Sequence, residues 1–558
     1  MKSAAEPVRP DDARPADSFA RWVEAADRIR GTTKRLEKLA VLEAYLPSLD
    51  DDALVVASHF FSGIVFPRHD QRTTRVGGAI VWTALAELSG ASEDELAQAY
   101  SRHGDTGDMV GDVLAAQPSA GQSLGWLAER FVALASSTGT AARRAIVRET
   151  FSALGGNEAR FFAKLLGGEL RIGLKEAQVE EAVARAFGRP IAAVRHANLL
   201  RGDVGEVAVL ARRNALDDAK LALFHPMGFM LAQPLPTAEE IVAALPSPFV
   251  LEDKYDGIRA QAHIDGDEVR LYSRTLDEIT HGYPDVVIAL RGLGRGLVLD
   301  GELLAVDPDN RQQARPFAVL QRRLGRKSPS AEMIAEVPVA FIAYDMLADN
   351  AELVIERPYS ERRVAIMALQ WRHDGAFMAP ARLGSTAQEI DSAFDAARAA
   401  GNEGLIVKDP GSTYTPGRRG KTWIKLKRAL ATLDVVVTGV ERGNGRRNGV
   451  LSDYTFAVRT SETDPTLLNV GKAYNGLTDV EIAALTERFE EITVQQFGRF
   501  HQVQPLVVLE VTFDIVQKSA RHKAGYALRF PRIVRIRDDK PPAEIDTLAR
   551  VRELAGDA

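Results

Sequence analysis

The run Leu251-Glu252-Asp253-Lys254-Tyr255-Asp256-Gly257-Ile258-Arg259 decides how this chain is read. Asp-Gly is a common turn signal, so on its own the run describes a hairpin corner. The residues leading in (249–251) and those following (258–264) have the composition and alternation of strands. What sets this corner apart is a lysine at its entrance and an arginine just past its exit. A protonated lysine is a poor nucleophile, but burial and neighbouring cations lower its pKa and make it a good one. Lys254 is therefore a candidate nucleophile, and the rest of the chain must decide between that reading and a plain turn.

Working outward on the C-terminal side, Asp265-Gly266 marks a hairpin into a strand at 268–273. Further strands are expected at 297–299, 302–306, 339–346, 404–408 and 422–427, with helices at 360–369 and 387–399, which makes a mixed α+β domain. Two of these strands begin beside an acid, Glu302 in Leu299-Asp300-Gly301-Glu302 and Glu403 in Asn402-Glu403-Gly404. In Trp423-Ile424-Lys425-Leu426-Lys427, strand alternation sends Trp423, Lys425 and Lys427 to one face and Ile424 and Leu426 to the other, toward a core. Two lysines aimed at one cavity repel unless an anion lies between them. A phosphate meets that requirement, and Glu302 with Glu403 could hold Mg²⁺. The competing reading is an exposed strand face with lysines reaching into solvent and surface carboxylates beside turns.

Upstream, residues to about 224 read as helical, with three-and-four apolar spacing over 35–46, 78–88, 124–135, 141–154 and 175–187. Gly155-Gly156 and Gly188 mark helix stops. Phe224-His225-Pro226-Met227 and Gln233-Pro234-Leu235-Pro236 favour extended chain and mark a linker. Downstream of Leu433, short strands at 434–440, 453–458 and 506–516, glycine turns and one helix at 479–489 suggest a small barrel. The expected domains are 1–222, 223–430 and 431–558, with 1–17 as a short disordered leader.

At 558 residues and 46% hydrophobic, the chain can build several cores. No run of about eighteen apolar residues suggests a membrane span. With no cysteine, disulfides and cysteine zinc sites are excluded, which fits the cytoplasm. A net charge of −6 does not advertise a nucleic-acid partner, but binding depends on local patches. Basic residues do cluster: Arg418, Arg419, Lys421, Lys425, Lys427 and Arg428 lie close together, and a second group runs from Lys518 to Lys540.

In this order, these motifs resemble those of ATP-dependent DNA ligases, within the covalent nucleotidyltransferase superfamily. The resemblance implies an all-α N-terminal DNA-binding domain, an α+β adenylation domain and a C-terminal all-β OB-fold. Lys254-Tyr255-Asp256-Gly257 with Arg259 corresponds to the nucleophile motif. Arg274, in Tyr272-Ser273-Arg274-Thr275, would lie near the nucleotide, and Tyr344 in Phe341-Ile342-Ala343-Tyr344-Asp345 would stack on adenine. Glu252 would read the adenine amino group, and Glu302 and Glu403 would hold metal or ribose. Arg259, Lys425 and Lys427 would neutralise the α-phosphate, with Arg419 also at the nucleotide.

Farther on, Arg529-Phe530-Pro531-Arg532 continues to Arg537-Asp538-Asp539-Lys540, whose Arg537 and Lys540 would meet the β- and γ-phosphates. In the helical part, Gly167-Gly168-Glu169-Leu170-Arg171-Ile172-Gly173-Leu174 and the turn Gly104-Asp105-Thr106-Gly107-Asp108 match the family's DNA-binding domain. There Gly168, Arg171 and Gly173 would contact DNA phosphates, since glycines let backbone N–H groups approach closely. Two positions depart from the pattern. Glu169 stands where a basic or small residue would suit phosphate better, and Thr275 stands where the family often has Asn.

The resemblance implies ATP and Mg²⁺ (or Mn²⁺) as cofactors and nicked double-stranded DNA as partner. It also implies a monomer in the cytoplasm, nucleoid-associated in a bacterium. Lysyl-AMP forms first, AMP passes to a 5′-phosphate, and a 3′-hydroxyl then expels AMP. Replication, repair and recombination ligases share this chemistry. The alternatives are an RNA ligase, a capping-type guanylyltransferase and an inactive DNA-binding scaffold. An NAD-dependent ligase is disfavoured because its zinc-binding cysteines are missing.

Overall fold

The computed structural model describes residues 14–311, 313–371, 375–427, 431–443 and 447–556. Most of the expected leader, and Arg428 of the basic cluster, lie outside the described residues. The rest forms two compact units, one from 14–96 with 106–427 and the other from 97–105 with 431–556. Among the described residues no helix is long and apolar enough to cross a membrane.

The helical region runs from Phe19–Arg30 to Val204–Arg212. Its first helix starts because the Ser18 hydroxyl accepts from the Arg21 N–H. It buries Phe19, Trp22, Val23, Ala26 and Ile29 along one face. Trp22 is the hub, with the rings of Phe61 at 4.8 Å and Phe161 at 5.7 Å. The expected helices appear as Arg35–Tyr45, Gly78–Ser89, Leu124–Ser136, Thr140–Ser152 and Glu176–Ala186. Asp203 caps the last helix and also meets His59 Nε2 at 2.6 Å, which pins that helix to Asp51–Phe61.

The adenylation region holds two sheets. The first contains β1 (Leu231–Leu235), β2 (Phe249–Lys254), β9 (Ala381–Gly384), β10 (Gly404–Lys408) and β11 (Arg419–Leu426), in the order β1-β11-β10-β2-β9. The second contains β3 (Ile258–Asp265), β4 (Glu268–Ser273), β5 (Leu297–Ala305), β6 (Val339–Asp349) and β7 (Glu352–Leu353), in the order β4-β3-β5-β6-β7, with β8 (Ala376–Met378) beside β6.

Strand alternation explains which side chains reach the site. In the first sheet Phe249, Leu251, Leu405, Val407, Ile424 and Leu426 turn to a core under the helices Ala238–Ala244 and Ala387–Ala399. That leaves Glu252, Lys254, Ile406, Lys408, Trp423 and Lys425 on the other face, toward a cleft. In the second sheet Ala260, Leu299, Leu303, Phe341 and Ala343 are core, and Arg259, Glu302 and Tyr344 face the cleft.

One strand differs from expectation. Asp300-Gly301 reads as a break between two strands, yet β5 is continuous through it. The pairing with β6 shifts register there, and a Cβ on Gly301 would sit 2.4 Å from the Ile342 carbonyl oxygen. The glycine serves close backbone approach, not a turn.

The C-terminal unit is β-rich. β12 (Thr432–Arg442) pairs with β13 (Leu451–Arg459), β16 (Phe500–Val503) and β17 (Val508–Thr512). β14 (Leu467–Ala473) and β15 (Thr493–Phe497) lie at the ends of that sheet, and β20 (Arg532–Ile536) extends from β17. β18 (Ile515–Lys518) and β19 (Tyr526–Arg529) form a separate hairpin. The segment expected as one strand over 506–516 is broken around Phe513 and Asp514 into β17 and β18. The helix Asp479–Glu491 contributes Phe489 to a core with Val435, Tyr454, Phe456 and Leu509.

Candidate active site

Lys254 is the last residue of β2, paired across the sheet with Gly404 at the start of β10. Its ammonium forms an ion pair with Glu403, and the Glu403 N–H donates to the Lys254 carbonyl at 2.7 Å. Gly257, at the corner that follows, presses against β5. A Cβ there would lie 2.4 Å from the Leu303 carbonyl oxygen, so the glycine of the nucleophile motif is fixed by packing.

Lys254 opens into a cleft of about 410 Å³ between the two sheets. Glu252, Arg259, Glu302, Tyr344 and Glu403 line it, as do Arg274, Arg419 and Lys425. These residues are thus gathered from five strands and two adjoining loops. Lys427 is the exception in this region. It lies one residue past the end of β11, half-buried, and is not part of the cleft wall. Its N–H still donates to the Leu235 carbonyl at 2.8 Å, and its charge still acts on Lys425.

Burial pushes the Glu302 carboxyl up to about 8, against the pull of Lys254 and Arg259. Lys425 is pushed down, first by burial and then by Lys254 and Lys427. A cleft with several crowded cations favours an anionic ligand. Among the described residues no cluster of three or more His, Asp or Glu is arranged to hold a metal by itself. Glu302 and Glu403 both border the cleft, and one or two carboxylates with substrate phosphates are a common way to hold Mg²⁺.

Arg259, expected to neutralise the α-phosphate, lines the cleft while anchored from behind. Its guanidinium is bidentate to Asp300 at 2.7 and 3.1 Å and donates to the Met230 carbonyl at 2.7 Å. It packs over the rings of Phe229 at 4.8 Å and Tyr344 at 5.7 Å. Tyr414 donates to Asp300 at 2.7 Å and completes the cluster. Arg259 therefore forms a fixed, charged wall of the cleft. Asp300 lies inside a motif the sequence displays. Tyr414 carries no signal, because only the fold brings it across 114 residues.

In the C-terminal unit, Arg537 and Lys540 border a pocket of about 310 Å³ with Arg488 and Asp538. Both basic groups are engaged by Asp434, Arg537 through two bonds of 2.8 Å and Lys540 at 2.6 Å. In the helical region Gly168 (φ 67°), Arg171 (φ 53°) and Gly173 (φ 68°) are left-handed positions of one loop after Gly156–Leu166. Lys38 Nζ donates to the carbonyls of Ile172 at 2.7 Å and Gly173 at 3.1 Å and so fixes the loop, while Arg171 pairs with Glu169 at 2.6 Å.

Three family models match successive parts of the chain: the DNA ligase N terminus over 18–184, the ATP dependent DNA ligase domain over 229–427, and the ATP dependent DNA ligase C terminal region over 447–540. A probable DNA ligase of Koribacter versatilis is 46% identical, with 95% of each chain covered. The chain belongs to the ATP-dependent DNA ligase family. This ligase is also 33% identical to a DNA ligase of Methanothrix thermoacetophila, over 96% of its own length and 98% of the relative's. Its fold is similar to the solved structure Pmar-Lig_Pre, at 15% identity, 93% and 99% coverage and a TM-score of 0.58. The expected helical, adenylation and OB regions of the ligase are all matched, and the capping-enzyme and RNA-ligase readings are left without support.

Proposed function

We propose that this ligase seals nicks in duplex DNA through a lysyl-AMP at Lys254. The observation that carries this reading is the convergence of Lys254, Lys425, Arg419, Glu252 and Tyr344 on one cleft. Lys254 loses a proton to solvent as its ion pair with Glu403 opens. The amine attacks the α-phosphorus of ATP, a P–N bond forms, and the P–O bond to the departing diphosphate breaks. An oxygen of the DNA 5′-phosphate then attacks the same phosphorus and frees Lys254. The nick's 3′-hydroxyl attacks the activated 5′-phosphorus, closing the phosphodiester and releasing AMP.

Lys425 and Arg419 supply positive charge along the cleft, and the anchored Arg259 adds a rigid charged wall. Tyr344 offers its ring to the base, and Glu252 offers acceptor oxygens to the adenine amino group. Glu302 and Glu403 would hold Mg²⁺ or Mn²⁺, which when bound neutralises phosphate charge. Gly168, Arg171 and Gly173 would contact DNA phosphates, and Arg537 and Lys540 the diphosphate. The ligase acts as a monomer in the cytoplasm, with all of these groups on one chain.

The test is incubation with α-labelled ATP and Mg²⁺, followed by a nicked duplex. Acid-labile label should attach to the chain and then move to the 5′ end of the nick. Sealing without a labelled enzyme intermediate would overturn the reading.

A further inference from the structure

Gln71 lies in the helical region, but its side chain bonds to the turn that carries Arg274, within the same compact unit. Its carboxamide oxygen accepts from the Glu278 N–H at 2.7 Å. Its amino group donates to the Leu276 carbonyl at 3.3 Å and to the Arg68 carbonyl at 2.7 Å. The segment around Gln71 is itself anchored. Arg68 pairs at 2.5 Å with Glu176, the first residue of the helix Glu176–Ala186. The His69 ring stacks on that of His225 at 3.8 Å, with the planes 3° apart. Just before the turn, the Tyr272 hydroxyl donates to the Phe224 carbonyl at 2.6 Å.

The turn has a reason to need this outside hold. Inside it, the Ser273 N–H donates to the Asp277 carbonyl and the Leu276 N–H to the Ser273 carbonyl, both at 2.8 Å. The Thr275 hydroxyl bonds with the Ser273 hydroxyl and the Asp277 carboxylate. Leu276 nevertheless sits at φ 69°, a left-handed conformation that a residue with a Cβ keeps only when its surroundings over-determine it. The two bonds from Gln71 fall on the carbonyl of that residue and on the N–H two positions later. A carboxamide suits this pair because it offers a donor and an acceptor together, and the flipped orientation would set donor against donor. Arg274 lines the cleft, and among the described residues it has no hydrogen-bond or ion-pair partner. Where its guanidinium lies therefore depends on the backbone of the turn.

We infer that Gln71 is a positioning residue for the nucleotide cleft: it holds the turn 273–278 from the helical region and so fixes where Arg274 meets the bound nucleotide. This rests on the proposed nucleotide reading of the cleft. Gln71 does not border the cleft itself, so it acts only through the turn. Arg274 carries its charge on a long, rotamer-rich side chain. Fixing its backbone lowers the ordering cost when the guanidinium pairs with an oxygen of the nucleotide. The part of the chain proposed to hold DNA thereby also completes the ATP site.

Exposed hydrogen bonds between two loops also arise as plain packing, and a double-variant cycle on the full chain separates the two roles. It reads lysyl-AMP formation against ATP concentration. Gln71→Met keeps the length of the side chain and removes its polar atoms. It should raise KM for ATP about five-fold and change kcat less. Arg274→Ala should raise KM about ten-fold or more. With Arg274 already replaced by alanine, Gln71→Met should add less than about two-fold, because its effect passes through that arginine.

Losses that multiply in the double variant would overturn the positioning role, because Gln71 would then affect the cleft without Arg274. An unchanged KM in Gln71→Met alone would overturn it as well. If Arg274→Ala charges like the unaltered ligase, Arg274 does not meet the nucleotide, and the inference falls with that part of the reading while Lys254 keeps its label. If the unaltered ligase takes no label from α-labelled ATP, the lysyl-AMP reading itself has failed.

Discussion

Lys254 and Glu403 are bound to each other twice, by an ion pair between side chains and by a 2.7 Å hydrogen bond from the Glu403 N–H to the Lys254 carbonyl. The second bond lies just outside the β2–β10 pairing, where Gly404 faces Lys254, so the end of the sheet brings the carboxylate to the nucleophile. An ammonium in an ion pair cannot attack phosphorus, so the pair must open or transfer its proton as ATP binds. Lys254→Ala should abolish covalent AMP attachment with the fold intact, and Lys254→Arg should fail as well, because arginine does not lose its proton usefully. Gel detection of labelled chain after acid and alkali treatment checks this. Label persisting on Lys254→Ala would place the nucleophile elsewhere.

Asp300 is fully buried and holds both Arg259 and Tyr414. Asp300→Asn keeps the shape and removes the charge, so the Arg259 guanidinium loses its counter-ion in the cleft wall. Breaking a buried pair in this way should cost about 3–5 kcal/mol of stability, read from urea unfolding of the nucleotide-free ligase. AMP attachment should slow as well, because Arg259 is then free to turn toward other anions. Unfolding at the same urea midpoint would show that the pair adds nothing.

The division between what the sequence displays and what it conceals follows the range of the interactions. Lys254, Glu302, Glu403 and Lys425 sit in short strands whose alternation is local, so their common face is readable from the motif alone. Asp300-Gly301 misleads for the same reason. Locally it resembles a turn, and the need for Gly301 arises only when Ile342 of a strand forty residues away presses on it. Tyr414, Tyr359 and Arg363 carry no sequence signal at all, since each acts on an acid more than a hundred positions distant. The strands Leu467–Ala473 and Thr493–Phe497 lack a clean apolar alternation and take their place by pairing with β13 and β16.

His263 gives the ligase a specific acid sensitivity. It is completely buried, and burial first, then His225 and Arg270, push its pKa down to about 3. Its Nδ1 accepts from the Phe224 N–H at 3.0 Å, and its Nε2 meets Gln261 Oε1 at 2.8 Å. A neutral ring satisfies both, but a protonated one has no acceptor for Phe224. Unfolded histidine binds a proton near pH 6.5 while the folded ring does not until about 3. Stability from this group is therefore full above 6.5 and is lost as pH falls toward 3, by at most about 1.4 kcal/mol per pH unit. Denaturation of the unaltered ligase and of His263→Gln between pH 7 and 5 should show a shallower pH slope in the variant. Parallel slopes would mean the ring is not the titrating group.

Arg537 and Lys540 share Asp434, so a diphosphate must compete with that carboxylate for them. Arg537→Ala and Lys540→Ala should slow charging with ATP well beyond any effect on sealing a DNA strand that is already adenylylated, because diphosphate leaves after the first step. Asp434→Asn removes the competitor and should lower KM for ATP in charging. Equal losses in charging and in sealing for either alanine variant would indicate general damage or a direct part in holding DNA.

The helical region should act as a clamp on DNA phosphates, with binding that is independent of sequence and falls steeply with salt through counterion release. Leu221 and Leu223 pack against the adenylation core, and the Phe224 carbonyl accepts from Tyr272 at 2.6 Å. A shortened chain must therefore begin upstream of them, near residue 216. That chain keeps every lining residue of the cleft and should still form lysyl-AMP, yet bind nicked duplex weakly and seal poorly, most visibly at higher salt. Within the full chain, Arg171 shares its charge with Glu169 at 2.6 Å. Arg171→Ala should thus weaken DNA binding by about 1 kcal/mol, while Glu169→Gln should strengthen it, since it removes a carboxylate that competes with phosphate for the guanidinium. Fluorescence anisotropy with labelled nicked duplex across a salt titration measures all three proteins against the unaltered ligase. If the shortened chain seals as well as the full one at every salt concentration, the helical region is not the clamp.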